Sequence, residues 1–121
     1  MKKLFFLLIT SLLVACDGFV ELNQPQEQPA EYYVRYSITA EGAYTYFSDV
    51  YYADVYGTGS AHKSYSVRSW TVTIGPVKKG FKASVRNEKG TGNNQIEVSK
   101  NNGPFALKAS GQNKASYTIN F

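Results

Sequence analysis

The chain has 121 residues, with 13 basic and 9 acidic side chains, one histidine and one cysteine. A net charge of +4 is too small to mark a nucleic-acid partner. One cysteine cannot make an internal disulfide framework, and one histidine beside it leaves no Cys/His set for zinc.

Met1-Lys2-Lys3 opens the chain with two charges, and Leu4 to Ala15 follow as twelve residues whose only polar members are Thr10 and Ser11. Spanning a bilayer takes about 20 apolar residues. A charged start, a short apolar core and small residues before a cut site describe a secretory signal peptide. Leu13-Val14-Ala15-Cys16 resembles the lipobox of bacterial lipoproteins. The resemblance implies that residues 1–15 are cleaved and that Cys16 becomes an acylated first residue, anchoring the chain to a membrane. Each buried methylene contributes about 0.8 kcal/mol, so two or three chains hold durably.

Residues 16–30 then read as lipidated N-terminus and linker, and 31–121 as one folded domain. Asp17 to Ala30, "DGFVELNQPQEQPA", is polar with two prolines. It reaches about 20 Å as a coil and at most about 50 Å extended. Loss of Lys2 and Lys3 leaves a net +2, unevenly divided. Residues 17–54 hold seven acids (Asp17, Glu21, Glu27, Glu31, Glu41, Asp49, Asp54) and one base, Arg35. Residues 55–121 hold ten bases against Glu88 and Glu97. Two readings stand: the halves pair across neighbouring strands, or a basic patch faces anionic glycans or lipid headgroups.

Within the domain the apolar pattern has period two throughout. Tyr32, Val34, Tyr36 and Ile38 alternate with Tyr33, Arg35, Ser37 and Thr39, predicting a first strand before a Glu41-Gly42 turn. Residues 43–57 predict one long bent strand or two short ones, closed by a Gly-rich loop, "GTGSAHK". From Ser64, Tyr65 and Val67 lie on the parity opposite to Trp70, Val72 and Ile74, which predicts a bulge near Ser69 and puts Trp70 at the centre of the core. Gly75-Pro76 and Gly80 bracket a turn. Phe81, Ala83 and Val85 make the next strand, "NEKGTGNN" a loop, Ile96 and Val98 another strand, and "NNGP" a turn. Phe105, Leu107 and Ala109 predict a further inward face, and Tyr117, Ile119 and Phe121 a last strand. About seven strands with Gly/Asn turns between them predict an all-β fold, an antiparallel Ig-like sandwich.

The strand order with "GPVKKGFKASV" and "PFALKAS" resembles small β-sandwich lipoproteins of Bacteroidetes. More distantly, the Tyr-rich first strand, the mid-chain Ser-Trp and the C-terminal meander are similar to the extracytoplasmic domain of the MmpS (mycobacterial membrane protein small) family, whose paired C-terminal cysteines have no counterpart here. The nearer resemblance implies an envelope lipoprotein at the outer membrane, facing outward, with Asp17 among the acids that accompany export there; a periplasm-facing location is the alternative.

No catalytic constellation stands out. His62 with Ser60 or Ser64 and Asp49 or Asp54 lacks any spacing that would activate a nucleophile. Glu41, Asp49 and Asp54 do not form a calcium-loop motif, and "GTGSAHK" lacks the Gly-Lys-Ser/Thr ending of a phosphate loop. The expectation is a non-enzyme without cofactor or metal. Eight of the ten tyrosines fall between Tyr32 and Tyr56. Adjacent pairs on a strand point to opposite faces, so Tyr32, Tyr33, Tyr51 and Tyr52 become the expected ligand-binding set. The expected function is a membrane-anchored binding or adhesion module for a glycan or protein ligand. The other reading is a structural or accessory subunit of an envelope or transport complex.

Overall fold

A computed structural model describes residues 28–121. The expected signal peptide 1–15, the anchor Cys16 and the linker as far as Glu27 lie outside the described residues. Eight strands follow in order: β1 (Tyr32–Ala40), β2 (Phe47–Asp54), β3 (Gly57–Ala61), β4 (Ser69–Val77), β5 (Lys82–Gly90), β6 (Gly92–Lys100), β7 (Ala106–Gln112) and β8 (Lys114–Thr118). They form two four-stranded sheets, β4-β1-β6-β7 and β3-β2-β5-β8, in which every pairing is antiparallel. The expected all-β sandwich is therefore the architecture. Its strand order differs from that of an Ig constant-type domain.

Period-two sequence makes the core. In β1 the residues Tyr32, Val34, Tyr36 and Ile38 are buried to the last per cent, while Arg35 and Ser37 between them stay half-exposed. Phe47 and Val50 of β2, Ala83 and Val85 of β5, Ile96 and Val98 of β6, and Ile119 beyond β8 meet them from the two inner faces. Two tyrosine hydroxyls are buried with a partner each. Tyr36 donates to the Ala53 carbonyl at 2.7 Å across the sheets, and Tyr32 donates to the Phe121 carbonyl. Burial raises the Tyr36 phenol well above its ordinary pKa and keeps it a neutral donor.

The departures from expectation have definite causes. The Gly-rich stretch expected as a loop contains an eighth strand, β3, which pairs Tyr52 with Gly59. The Tyr52 ring lies so close over Gly59 that a Cβ there would overlap it, so glycine is what lets this edge close on the ring. The parity change near Ser69 is a crossing between sheets and not a bulge. Val67 bridges to Phe47 in one sheet, whereas Trp70 pairs with Ile38 in the other. Because β4 is an edge strand, Trp70 is half-buried at the side of the sandwich, its ring centroid 5.4 Å from that of Tyr52, and does not occupy the centre.

The expected "NEKGTGNN" loop shrinks to a single residue, Thr91, between β5 and β6. Asn87 and Asn94 are buried within those strands, which overrides their turn preference. At Gly90 (φ +84°) the backbone of Tyr46 and Phe47 fills the space a side chain would need. The pairing of β7 on β6 shifts register between Ile96 and Glu97, whose partners are Ala109 and Leu107, so Lys108 is the extra residue. That shift leaves Ala109 facing inward and turns Leu107 outward, 55% exposed, against the alternation expected of Phe105, Leu107 and Ala109. The last strand also ends earlier than expected, at Thr118.

Phe47 is 1% exposed and sits where both sheets meet, so Phe47→Ala should cost about 3–5 kcal/mol in urea unfolding. Trp70→Ala should cost clearly less. A larger loss for Trp70→Ala would return the indole to the centre of the core.

Candidate ligand-binding tip

Strand direction gives the sandwich two unlike ends. Where β1 starts, Tyr32 pairs with Lys100 and Val77, and residues 28–31 enter the sandwich there. At the other end β1 stops at Ala40, opposite Gly92, and the segment 41–46 and the segment 62–68 cover that end together. The expected set of four tyrosines does not assemble at either end. Tyr32 is a core residue at 1% exposure, which corrects its expected role in ligand contact: β1 alternation turns it inward. Tyr52 also faces inward, its ring 5.6 Å from that of Tyr36. Tyr33 and Tyr51 face outward, but on opposite sheets. Tyr33 lines a shallow hollow of about 250 Å³ with Phe105, Thr73 and Asn102. Tyr51 lies under the Arg86 guanidinium, 4.7 Å from its ring centroid.

The rings that do reach solvent at the far end are others: Tyr44 at 91%, Tyr46 at 50% and Tyr65 at 64% exposure. Single exposed apolar side chains are ordinary, but grouped ones mark contact surfaces. Tyr44 and Tyr46 belong to the same dense tyrosine run as the expected four. Their signal was the loss of alternation between Glu41 and Tyr46, which takes these rings out of any strand face.

The segments that carry them are firmly held. Phe47 and Val67 exchange both backbone hydrogen bonds, at 3.0 and 2.9 Å, and Ala40 N–H donates to the Arg68 carbonyl at 2.8 Å. The Arg68 guanidinium donates to three carbonyls of the facing segment, Gly42 at 2.9 Å, Ala43 at 3.2 Å and Thr45 at 2.7 Å, and lies 5.6 Å from the Tyr46 ring centroid. One cation thereby satisfies a turn that has no ladder of its own. Thr45 Oγ1 donates to the Glu41 carbonyl, and Thr91 N–H donates to that of Tyr46 at 3.1 Å. The second segment is pinned from below by Asp49, whose carboxylate accepts from Ser64 N–H and from Ser48 Oγ, both at 3.0 Å. His62 stacks on Tyr65 at 5.7 Å between centroids.

Asp49, His62 and Ser64 all have positive φ, at +56°, +50° and +57°. Non-glycine residues in this region cost about 1–3 kcal/mol each and persist where surrounding contacts impose them, often at functional sites. Among the described residues, no group of three His, Cys, Asp or Glu side chains could hold a metal ion. A larger hollow of about 480 Å³ opens between β5, β7 and β8, lined by Ser84, Arg86, Ser110, Lys114 and Ser116. Its Arg86 is already paired with Glu88 at 3.1 Å.

Hydrogen bonds from Ser64 N–H and then Ser48, aided by Lys89 and Lys63, hold the Asp49 carboxyl below its ordinary pKa near 3.8 against the opposing effect of desolvation. A depressed folded pKa means this contribution is complete above about pH 3.8 and is lost as pH falls through the lower folded value. Asp49→Asn should therefore flatten the acid limb of a melting-temperature titration and speed amide exchange at Ser64. An acid limb and exchange rate identical to those of the parent chain would show that the carboxylate does not hold the loop. In comparisons with known proteins, no family model, no curated protein and no solved structure matches the chain.

Proposed function

We propose that this chain is an envelope lipoprotein, anchored through acylated Cys16 at the outer membrane and facing outward, whose sandwich is a non-catalytic binding or adhesion module. The observation that carries this reading is the exposure of three rings, Tyr44, Tyr46 and Tyr65, on two pinned segments at one end of the sandwich, opposite the start of β1. Tyrosine offers a large amphipathic face with few rotamers to freeze, and Tyr, Ser and Gly dominate binding loops for that reason. "EGAYTY" and "HKSYSVR" have that composition. A ring held by Arg68 and a ring stacked on His62 lose little freedom on contact, which favours affinity. A tether of up to about 50 Å supports the same reading, because it lets the tip clear the surface.

The anchor is tested by Cys16→Ser, which should abolish labelling by a fatty-acid probe and release the protein from membranes; unchanged labelling refutes it. Protease shaving of intact cells should cleave the domain, and protection until the outer membrane is permeabilised would put it in the periplasm. The ligand is sought with a glycan array and, in parallel, with crosslinking from intact cells. Once a ligand is in hand, Tyr44→Ala, Tyr46→Ala and Tyr65→Ala should each weaken binding about thirty-fold, the equivalent of a 2 kcal/mol hot spot, with melting curves unchanged. Full binding by all three variants would remove the tip from the reading. Tyr33→Ala and Tyr51→Ala serve as controls on the two sheet faces.

A further inference from the structure

We infer that the opposite end of the sandwich, where the tether joins it, is a docking face for an anionic lipid surface. The inference deepens the anchored reading above and takes its orientation from it. Five lysines gather there. Lys78 and Lys79 lie on the turn after β4, whose Gly80 N–H donates to the Ile119 carbonyl at 2.8 Å. Lys82 opens β5 opposite Thr118, and Lys100 closes β6 opposite Tyr32. Lys108 reaches the same end from β7, its ammonium 3.9 Å from the Phe121 ring centroid, with that of Lys100 at 5.7 Å. Phe121 is joined to Tyr32 through the Tyr32 hydroxyl and an edge contact.

Little offsets this charge. Among the described residues the acids at this end are Glu31 and Asp54, and Asp54 accepts from Val55 N–H at 2.7 Å. The ion pairs of the described residues are Arg35–Glu97 at 2.8 Å and Arg86–Glu88 at 3.1 Å, and neither contains a lysine. The far end is mixed instead: Lys63, Arg68, Lys89 and Lys114 stand there with Glu41, Asp49 and Glu88. Among the described residues, no ion pair joins an acid of residues 17–54 to a base of residues 55–121. The positive charge concentrates as a field at one end.

Two further features fit headgroups. Continuing the register of β2 on β5 from Tyr52–Val85 sets the Val55–Tyr56 turn level with Phe81, and Tyr56 is 95% exposed. An exposed tyrosine beside lysines suits a membrane–water interface, where the ring and its hydroxyl find different environments. The tether also delivers this end first to the surface that holds the anchor. Attraction to anionic lipid decays within a Debye length, about 8 Å at physiological salt, so only an end held close can use it. Docking by the lysines would leave the tyrosine tip pointing away.

The test uses the mature chain, residues 16–121 with Cys16→Ser, so that no acyl chain contributes. All core side chains among the described residues lie between Ala30 and Phe121, so this form keeps the whole core. Cosedimentation is measured with phosphatidylcholine vesicles containing about a third phosphatidylglycerol and with phosphatidylcholine alone. The expected result is binding to the anionic vesicles only, lost at high salt and weakened about a hundred-fold by the combined K78Q, K79Q and K82Q substitutions with an unchanged melting curve. The far-end pair K63Q and K89Q should leave it intact. Equal binding to neutral vesicles, or an equal loss from the far-end pair, overturns the proposal. So does a large gain on neutralising Asp17, Glu21 and Glu27, because the tether itself would then occupy the face. Failure of Cys16 labelling would remove the anchor and leave the vesicle result standing. Failure of the vesicle result would leave the anchor and the tip untouched.

Discussion

Asn113 joins the two sheets at the end that carries the tip, and much else is built on that junction. With φ at +66°, it turns the chain from β7 in one sheet to β8 in the other. Its side-chain oxygen accepts from Gly92 N–H at 3.0 Å and from Asn87 Nδ2 at 3.2 Å. Its backbone N–H donates to the Gly92 carbonyl at 2.8 Å, and its carbonyl accepts from Asn87 N–H at 3.1 Å. One residue thus satisfies both sides of the β5–β6 corner, where buried backbone groups would otherwise cost about 1–3 kcal/mol apiece. The corner in turn presents Thr91 N–H to the Tyr46 carbonyl and lets Gly90 lie against the Tyr46–Phe47 backbone. The loop that carries Tyr44 and Tyr46 therefore rests on a closed hydrogen-bonded corner.

The two ends are stabilised by different physics, and their chemistry follows from it. At the tip, the connections 41–46 and 62–68 are long and irregular, so backbone groups without a ladder must be met by side chains; Arg68 does this for carbonyls of the first, and Asp49 accepts from Ser64 N–H of the second. Polar groups are committed to holding backbone there, and the rings are left exposed. At the end where β1 starts, two of the turns hydrogen-bond themselves, with Phe81 N–H to Lys78 and Gly103 N–H to Lys100. Lys100 and Lys108 lie over the Phe121 ring there, and among the described residues no lysine forms an ion pair.

The outer sheet faces use a third arrangement. Arg35 sits between Glu97, at 2.8 Å, and the Phe105 ring, 4.3 Å from its centroid, while Arg86 sits between Glu88 and Tyr51. Each planar guanidinium stacks on a ring and bonds a carboxylate at once, Arg35 through Nε alone and Arg86 through two nitrogens. Exposed pairs of this kind contribute about 0–1 kcal/mol. They order the faces more than they stabilise the fold, and they leave Tyr33 and Tyr51 singly placed on opposite sides.

By itself the sequence determined the class of fold, because period-two burial in Tyr32, Val34, Tyr36 and Ile38, and again in Ala83 and Val85, admits only a half-buried strand. It also determined which rings could share a face within a strand. It did not determine how strands join or which ring reaches solvent. The parity break before Trp70 has the same local pattern whether the chain bulges or crosses between sheets. Asn87 and Asn94 favour a turn until partners across the sandwich bury them, and Gly57–Ala61 has no strand propensity until Tyr52 lies over Gly59. The outward turn of Leu107 follows from a register shift against β6, where Lys108 is the extra residue between Leu107 and Ala109. Tyrosine composition predicted that some rings must be exposed; only the meeting of segments 41–46 and 62–68, joined by Arg68, decided that Tyr44, Tyr46 and Tyr65 are exposed at one end, with Tyr56 exposed at the other. Local preference is a property of neighbours in sequence, whereas exposure and charge segregation depend on which distant segments come to lie at the same end.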